Sequence, residues 1–159
     1  RGLGDVYKRQ DIGGVARARA VAKRLEGAEL AVVDKRRQGI NRVEVMSIIG
    51  DVKDKNCVLI DDIIDTAGTL SKAAHALKEK GAKTVKAYCT HAILSGEAIA
   101  NIQAAPIDEV MVTNSIPLSK AAATSLSSIR ILDLSPLLAE AILRIHTSQS
   151  ISSIFSDLE

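Results

Sequence analysis

The stretch VLIDDIIDTAGTL (residues 58–70) decides how this sequence folds. Its first half is a short apolar run of Val, Leu and Ile that reads as a buried strand. The run ends on two adjacent carboxylates, Asp61 and Asp62. Asp65, Thr66, Gly68 and Thr69 follow at the start of a helix expected over 67–80, with Leu70, Ala73, Ala74 and Leu77 on one face and Gly81 as its terminator. In an open parallel sheet, ligands bind at the carboxyl ends of the strands. Free N–H groups at a helix start, together with the helix dipole, form a seat for a phosphate. Gly68 lets a ligand approach the backbone, and the hydroxyls of Thr66 and Thr69 add donors. Each charge-assisted hydrogen bond contributes about 1.5–3 kcal/mol, so a handful can hold a sugar phosphate. Asp61 and Asp62 are then placed for the sugar hydroxyls, directly or through Mg²⁺. The stretch reads as a ribose 5-phosphate cradle. An arbitrary Asp-Thr-x-Gly more often does no more than cap a helix, through Asp65 or Thr66.

Outward from this stretch, helical and strand patterns alternate. DIGGVARARAVAKRL reads as a glycine turn leading into a helix, with Ala18, Val21, Ala22 and Leu25 at helical spacing and Gly27 stopping it. ELAVVDK is a short strand, DKRRQGIN a mobile loop with Gly39 and Asn41 as turn residues, and RVEVMSIIG a further strand. Downstream, VKAYCTHAI, EVMVTNS and IRILDLS are strands, and SGEAIANIQ is a short helix. SPLLAEAILRIH is an amphipathic helix, capped by Ser135 with Pro136 at its first position. The serine-rich tail SQSISSIFSDLE is either loose or docked. The pattern predicts an α/β domain built on an open, mostly parallel sheet flanked by helices. RGLGDVYKRQ (residues 1–10) is polar and irregular, looks foreign or miscalled, and is expected to form no core strand, leaving the domain over 11–159.

Composition narrows the function. Of 159 residues, 47% are hydrophobic but only three are aromatic, so the core is aliphatic. A net charge of +2, from 21 basic and 19 acidic residues, argues against a general nucleic-acid binder. No apolar run approaches the roughly 20 residues of a membrane span, and no secretory leader is visible. Cys57 and Cys89 lie in apolar segments and read as buried, reduced thiols. His75, His91 and His146 show no metal-ligand spacing.

The string VLIDDIIDTAGT closely resembles the phosphoribosyl-diphosphate (PRPP) binding signature of the type I phosphoribosyltransferase fold, and DDIIDTAGT is most similar to that of ribose-phosphate pyrophosphokinases, the PRPP synthetases. DIGGVARARAVAKRL, VVDKRR, CTHAILSG, VTNSIP and SPLLAEAILRIHTSQSISSIF resemble segments of the same family in the same order, covering residues 11–156. The resemblance implies a Rossmann-like phosphoribosyltransferase fold and transfer of diphosphate from ATP to the anomeric hydroxyl of ribose 5-phosphate, giving PRPP and AMP. It further implies Mg²⁺, a cytoplasmic location and a homo-oligomer, a dimer-based hexamer in the family. By position, Lys35 and Arg37 take the part of catalytic cations on a closing loop. Asp61, Asp62, Asp65, Thr66, Ala67, Gly68 and Thr69 bind ribose 5-phosphate. Asp11 matches a metal-linked aspartate, although Gln10 stands where the family has Pro. Ser150, Ser152 and Phe155 fall where the family forms a regulatory phosphate or ADP site between subunits.

Family members contain two similar domains, and this chain resembles only the second. It is therefore expected to bind ribose 5-phosphate weakly and to turn over little ATP by itself. A phosphoribosyltransferase that consumes PRPP would need a hood or base-recognising loop, which the sequence does not display. A non-catalytic synthetase-associated subunit would be expected to lose the Lys–Arg segment or the acid pair, and both are present. An RNA-binding regulator fits poorly with near-neutral charge and three aromatics.

Overall fold

The computed structural model describes residues 6–9, 12–25, 27–37 and 44–156, with side chains at 17–25, 27–33 and 47–155. Seven strands form one sheet in the order β3-β2-β1-β4-β5-β6-β7. They are β1 (Val6–Arg9), β2 (Leu30–Arg37), β3 (Glu44–Ile49), β4 (Asn56–Ile64), β5 (Thr84–Ala92), β6 (Glu109–Thr113) and β7 (Ile129–Leu132). Every neighbouring pair is parallel except β2 with β3, which form an antiparallel hairpin. The open, mostly parallel α/β sheet expected from the alternation is the one observed. The chain winds outward from β1 to β3 and resumes at β4 on the other side of β1, so the strand order reverses between β1 and β4. Ligand crevices in open α/β sheets lie at such reversals, beyond the carboxyl ends of the strands.

Helices α1 (Ile12–Arg24) and α2 (Gly68–Glu79) cover opposite faces of β4. Val58 and Ile60 pack with Ala18, Val21, Ala22 and Leu25 of α1. Cys57 and Leu59 belong to the main core, which joins Ala73, Ala74 and Leu77 of α2 to Val85, Val110 and Val112 of the central strands. Period-two alternation along β4 makes that division. Leu77, Val85 and Val110 are completely buried, and burying an aliphatic side chain of this size contributes about 1.5–3 kcal/mol. Gly81 ends α2 with φ 89°, as the sequence predicts. Gly50, at the end of β3, has φ 116°, and a Cβ there would lie 2.5 Å from Ala31 Cβ on β2. Helices α3 (Ala98–Ala104) and α4 (Lys120–Ser125) connect the later strands.

Several expectations need correction. Residues 6–9 form a strand in the interior of the sheet, hydrogen-bonded to β2 and β4, where no core strand was expected. Backbone pairing is indifferent to side-chain polarity, and without β1 the facing edges of β2 and β4 would be left with open backbone groups. Gly13 and Gly14 lie inside the first turn of α1 rather than in a turn before it. Residues 34–37 continue β2 instead of forming a loop, because Lys35, Arg36 and Arg37 pair with Met46, Val45 and Glu44 across the hairpin. Helix α4 was not expected; Ser119 Oγ caps it by accepting from the Ala122 amide at 3.1 Å. Helix α5 (Ser135–His146) starts one residue early, with Ser135 inside it and Leu134 at the N-cap. The capping work is done by Asp133, whose carboxylate accepts from the Ser135 amide at 2.9 Å and its hydroxyl at 2.7 Å. These bonds, and one from Asn114, hold the Asp133 carboxyl below its ordinary range. The tail folds into a short helix, α6 (Ser153–Ser156).

Candidate functional site

Strand β4 does not stop at Ile60. It runs on to Ile64, with Asp61, Ile63 and Ile64 in register with Cys89, His91 and Ala92 of β5. The acid pair is therefore on the strand rather than beyond it, and alternation sends the two carboxylates to opposite faces. Asp62 turns towards α1, where its Oδ2 accepts from Arg17 Nη2 at 3.1 Å. Its amide donates to Asp61 Oδ1 at 3.0 Å. Desolvation pushes the Asp62 carboxyl up, but hydrogen bonds with the Asp61 side chain, a backbone amide and Arg17 together hold it below its usual value. Asp61 instead borders an open hollow of about 250 Å³ at the carboxyl end of β4, shared with Asp65, Thr66, Ala67, Gly68 and Thr69. Six of the seven residues assigned to the cradle line one concavity; Asp62 is the exception.

The loop that shapes this hollow is fastened from behind. Ile64 O accepts the amides of Ile93 at 2.9 Å and Leu94 at 3.1 Å, and Asp65 O accepts the Ser95 amide at 3.1 Å. Ser95 Oγ also donates to Asp65 Oδ1. From α3, Asn101 Nδ2 donates to Thr66 O at 2.8 Å. Ala67 takes the left-handed conformation, φ 57° and ψ 4°, at the N-cap of α2. That conformation costs a non-glycine residue roughly 1–2 kcal/mol, and such strain persists where the surroundings over-determine it. The N-cap residue Ala67 has no side chain that could cap α2, and the Asp65 carboxylate is engaged by Ser95 instead, so among the described residues neither Asp65 nor Thr66 plays the ordinary capping role. The first amides of α2 are left for another acceptor, and an anion suits them.

Gly68 carries the clearest signal. Its φ lies outside the left-handed range, and an added Cβ would meet only Thr66 Oγ1 at 3.8 Å and Asn101 Nδ2 at 3.9 Å. Nothing in the chain's own packing requires glycine there.

Lys35 and Arg37 lie on β2, in the hairpin opposite Met46 and Glu44. Asp11 lies outside the described residues. Among the described residues, no three His, Cys, Asp or Glu side chains gather closely enough to hold a metal by themselves. At the tail, Ser150 Oγ meets Ser152 Oγ at 2.7 Å. Arg144 Nη1 donates to Ser150 O at 3.2 Å and also to Ser153 Oγ, which docks the tail on the end of α5. Phe155 is exposed. Both cysteines are buried thiols, and burial, with smaller contributions from the Asp61 and Asp62 charges, pushes the Cys89 thiol up to about 11. His91 Nδ1 is engaged with Ser115 Oγ at 2.9 Å. No helix among the described residues is long and apolar enough to cross a membrane.

Sequence reasoning missed Arg17, Ser95 and Asn101. Ser95 sits in the CTHAILSG segment singled out by resemblance. The Asn101–Thr66 bond spans 35 positions and leaves no local pattern.

The chain is similar to known proteins over most of its length. The ribose-phosphate pyrophosphokinase of Coxiella burnetii is 55% identical, over 92% of this chain and 46% of that relative. The ribose-phosphate pyrophosphokinase of Campylobacter jejuni is 56% identical, over 91% of this chain and 45% of that relative. The crystal structure of phosphoribosylpyrophosphate synthetase from Mycobacterium smegmatis matches with a TM-score of 0.82 and 33% identity, over 92% of this chain and 46% of that one. The chain thus spans about half the length of the curated relatives it matches. The family described as the phosphoribosyl synthetase-associated domain matches residues 30–156, most of the chain, and the protein belongs to that family.

Proposed function

We propose that this chain carries the sugar-phosphate half of a ribose-phosphate diphosphokinase site, in a protein that transfers diphosphate from ATP to ribose 5-phosphate. The observation that carries it is the hollow at the end of β4, where residues 65–69 wrap an uncapped helix start beside the Asp61 carboxylate. The likeness to ribose-phosphate pyrophosphokinases over nine-tenths of the chain supports the same substrate class.

The residues divide the work as follows. The amides at the start of α2, with the Thr66 and Thr69 hydroxyls, hold the 5-phosphate. Asp61 accepts from the ribose hydroxyls, Asp65 stiffens the loop through Ser95, and Asp62 is held back by Arg17. Lys35 and Arg37 provide cations for the migrating diphosphoryl group, Lys as a point charge and Arg as a planar fork. An oxygen-only donor set of one or two carboxylates completed by substrate oxygens suits Mg²⁺, and Asp61 with Asp11 would hold it. Bound there, the ion would neutralise charge on the transferring group. ATP is the second substrate and completes its site with the half of the relatives that this chain does not span. A cytoplasmic homo-oligomer, with Ser150, Ser152 and Phe155 at a regulatory anion site, belongs to the same proposal.

Four charge-assisted bonds supply about 6–12 kcal/mol before association costs of about 4–15 kcal/mol, so weak binding is expected of this chain alone. Calorimetric titration with ribose 5-phosphate, with and without Mg²⁺, tests this. Binding that is strengthened by Mg²⁺ and abolished by the Thr69→Val, Asp65→Asn double variant is expected. A folded chain that shows no heat at millimolar ligand would refute the assignment.

A further inference from the structure

We propose that Asn101, on α3, is a positioning residue that aims the phosphate-binding amides of the cradle loop; this rests on the ribose 5-phosphate reading of that loop. In a trans peptide the carbonyl and the following N–H point in opposite directions. Asn101 Nδ2 draws the Thr66 carbonyl towards α3 at 2.8 Å, which turns the Ala67 N–H away from α3. The Ser95 amide does the same to the preceding peptide through Asp65 O at 3.1 Å, turning the Thr66 N–H the same way. Neither Asn101 nor Ser95 lines the hollow, whereas Thr66 and Ala67 do. Two successive peptides are thus set from behind, and their donors face the side where ligand arrives.

Asn101 is the freer of the two fastenings to test, because Ser95 also holds the Asp65 carboxylate. It is half-buried near the middle of α3, at a position where leucine matches asparagine in size and is the better helix former. Asn101→Leu removes the donor while leaving helix and volume in place. A purely structural asparagine would then show no binding defect at unchanged or raised stability. Thr84→Val serves as the control. It deletes the 2.8 Å hydrogen bond from Thr84 Oγ1 to Asn56 Oδ1 at the opposite end of β4 and β5.

The experiment titrates the 159-residue chain and both variants with ribose 5-phosphate, by chemical shift and calorimetry, beside thermal unfolding and amide exchange without ligand. For Asn101→Leu, the dissociation constant is expected to rise about five- to tenfold, as for one lost hydrogen bond, with a thermal midpoint no lower than wild type. Thr84→Val keeps its affinity. Equal affinity of wild type and Asn101→Leu overturns the proposal and leaves the cradle assignment standing. Equal weakening by Asn101→Leu and Thr84→Val also overturns it, as a general effect of lost stability. If wild type itself binds nothing, the cradle assignment fails, and the Ser71 amide then decides the role of Asn101. That amide donates to Ala67 O at 2.9 Å. Exchange at least fivefold faster in Asn101→Leu supports a brace on the loop, and unchanged exchange overturns it.

Discussion

Helices α2 and α5 are each twelve residues long and each carries an apolar stripe, yet they end in opposite situations. On α2, Ala73, Ala74 and Leu77 are buried against the sheet. On α5, no residue is buried, and Leu137, Leu138, Ile142, Leu143 and Ile145 are exposed. The sequence pattern is equally strong in both. Amphipathic spacing states that a helix face calls for cover; whether this chain supplies the cover depends on where the sheet lies. The proposed cradle leads into the helix that found its partner in the sheet.

Substitution at the centre of each stripe tests that contrast, and it should produce the largest effect. Leu77, fully buried, should lose about 2–5 kcal/mol of stability as Leu77→Ala. Ile142 is 67% exposed, and Ile142→Ala should change stability by no more than about 0.5 kcal/mol. Urea unfolding monitored by far-UV circular dichroism compares them directly. Similar losses in both would mean that α5 is packed after all.

A smaller effect is expected on the other flank of the packed region. Gly50→Ala would place a methyl 2.5 Å from Ala31 Cβ in a left-handed backbone. A loss of about 1–3 kcal/mol is expected from overpacking and strain together. Unchanged urea stability would show that the β2–β3 hairpin gives way more easily than the packed centre of the sheet.

How much of this was legible beforehand follows the same division. The order of strands from β2 onward, helices α2, α3 and α5, and the α2 stripe were readable because period and turn chemistry are local, whereas α4 and α6 were not. Strand β1 was not, since Val6 and Tyr7 are its only strand formers in an otherwise polar stretch, and it owes its place to pairing with both β2 and the distant β4. The charges of residues 35–37 resembled a solvated loop, but hairpin pairing kept them in β2. The acid pair was recognised while its division between two faces was not, because that depended on β4 extending beside β5 as far as Ile64. Ser135 looked like the cap of α5, yet Asp133, two positions earlier, supplies the acceptor. Asn101 carried no sequence signal, since its role exists only once α3 lies behind the loop.

The central claim is that the backbone of residues 66–69 seats the sugar phosphate, and Gly68 tests it most directly. A Cβ at this position would make only ordinary contacts, at 3.8 Å and beyond. Alanine also favours the helix relative to glycine, so stability should hold or rise by up to about 1 kcal/mol in Gly68→Ala. With the phosphate seated on this backbone as proposed, the same methyl would crowd it. The measurement is the ribose 5-phosphate affinity of Gly68→Ala beside its thermal midpoint. Affinity at least about tenfold weaker, a loss of about 1.4 kcal/mol or more, with an undiminished midpoint, is the predicted result. Unchanged affinity in the equally stable variant would contradict the account and place the phosphate elsewhere.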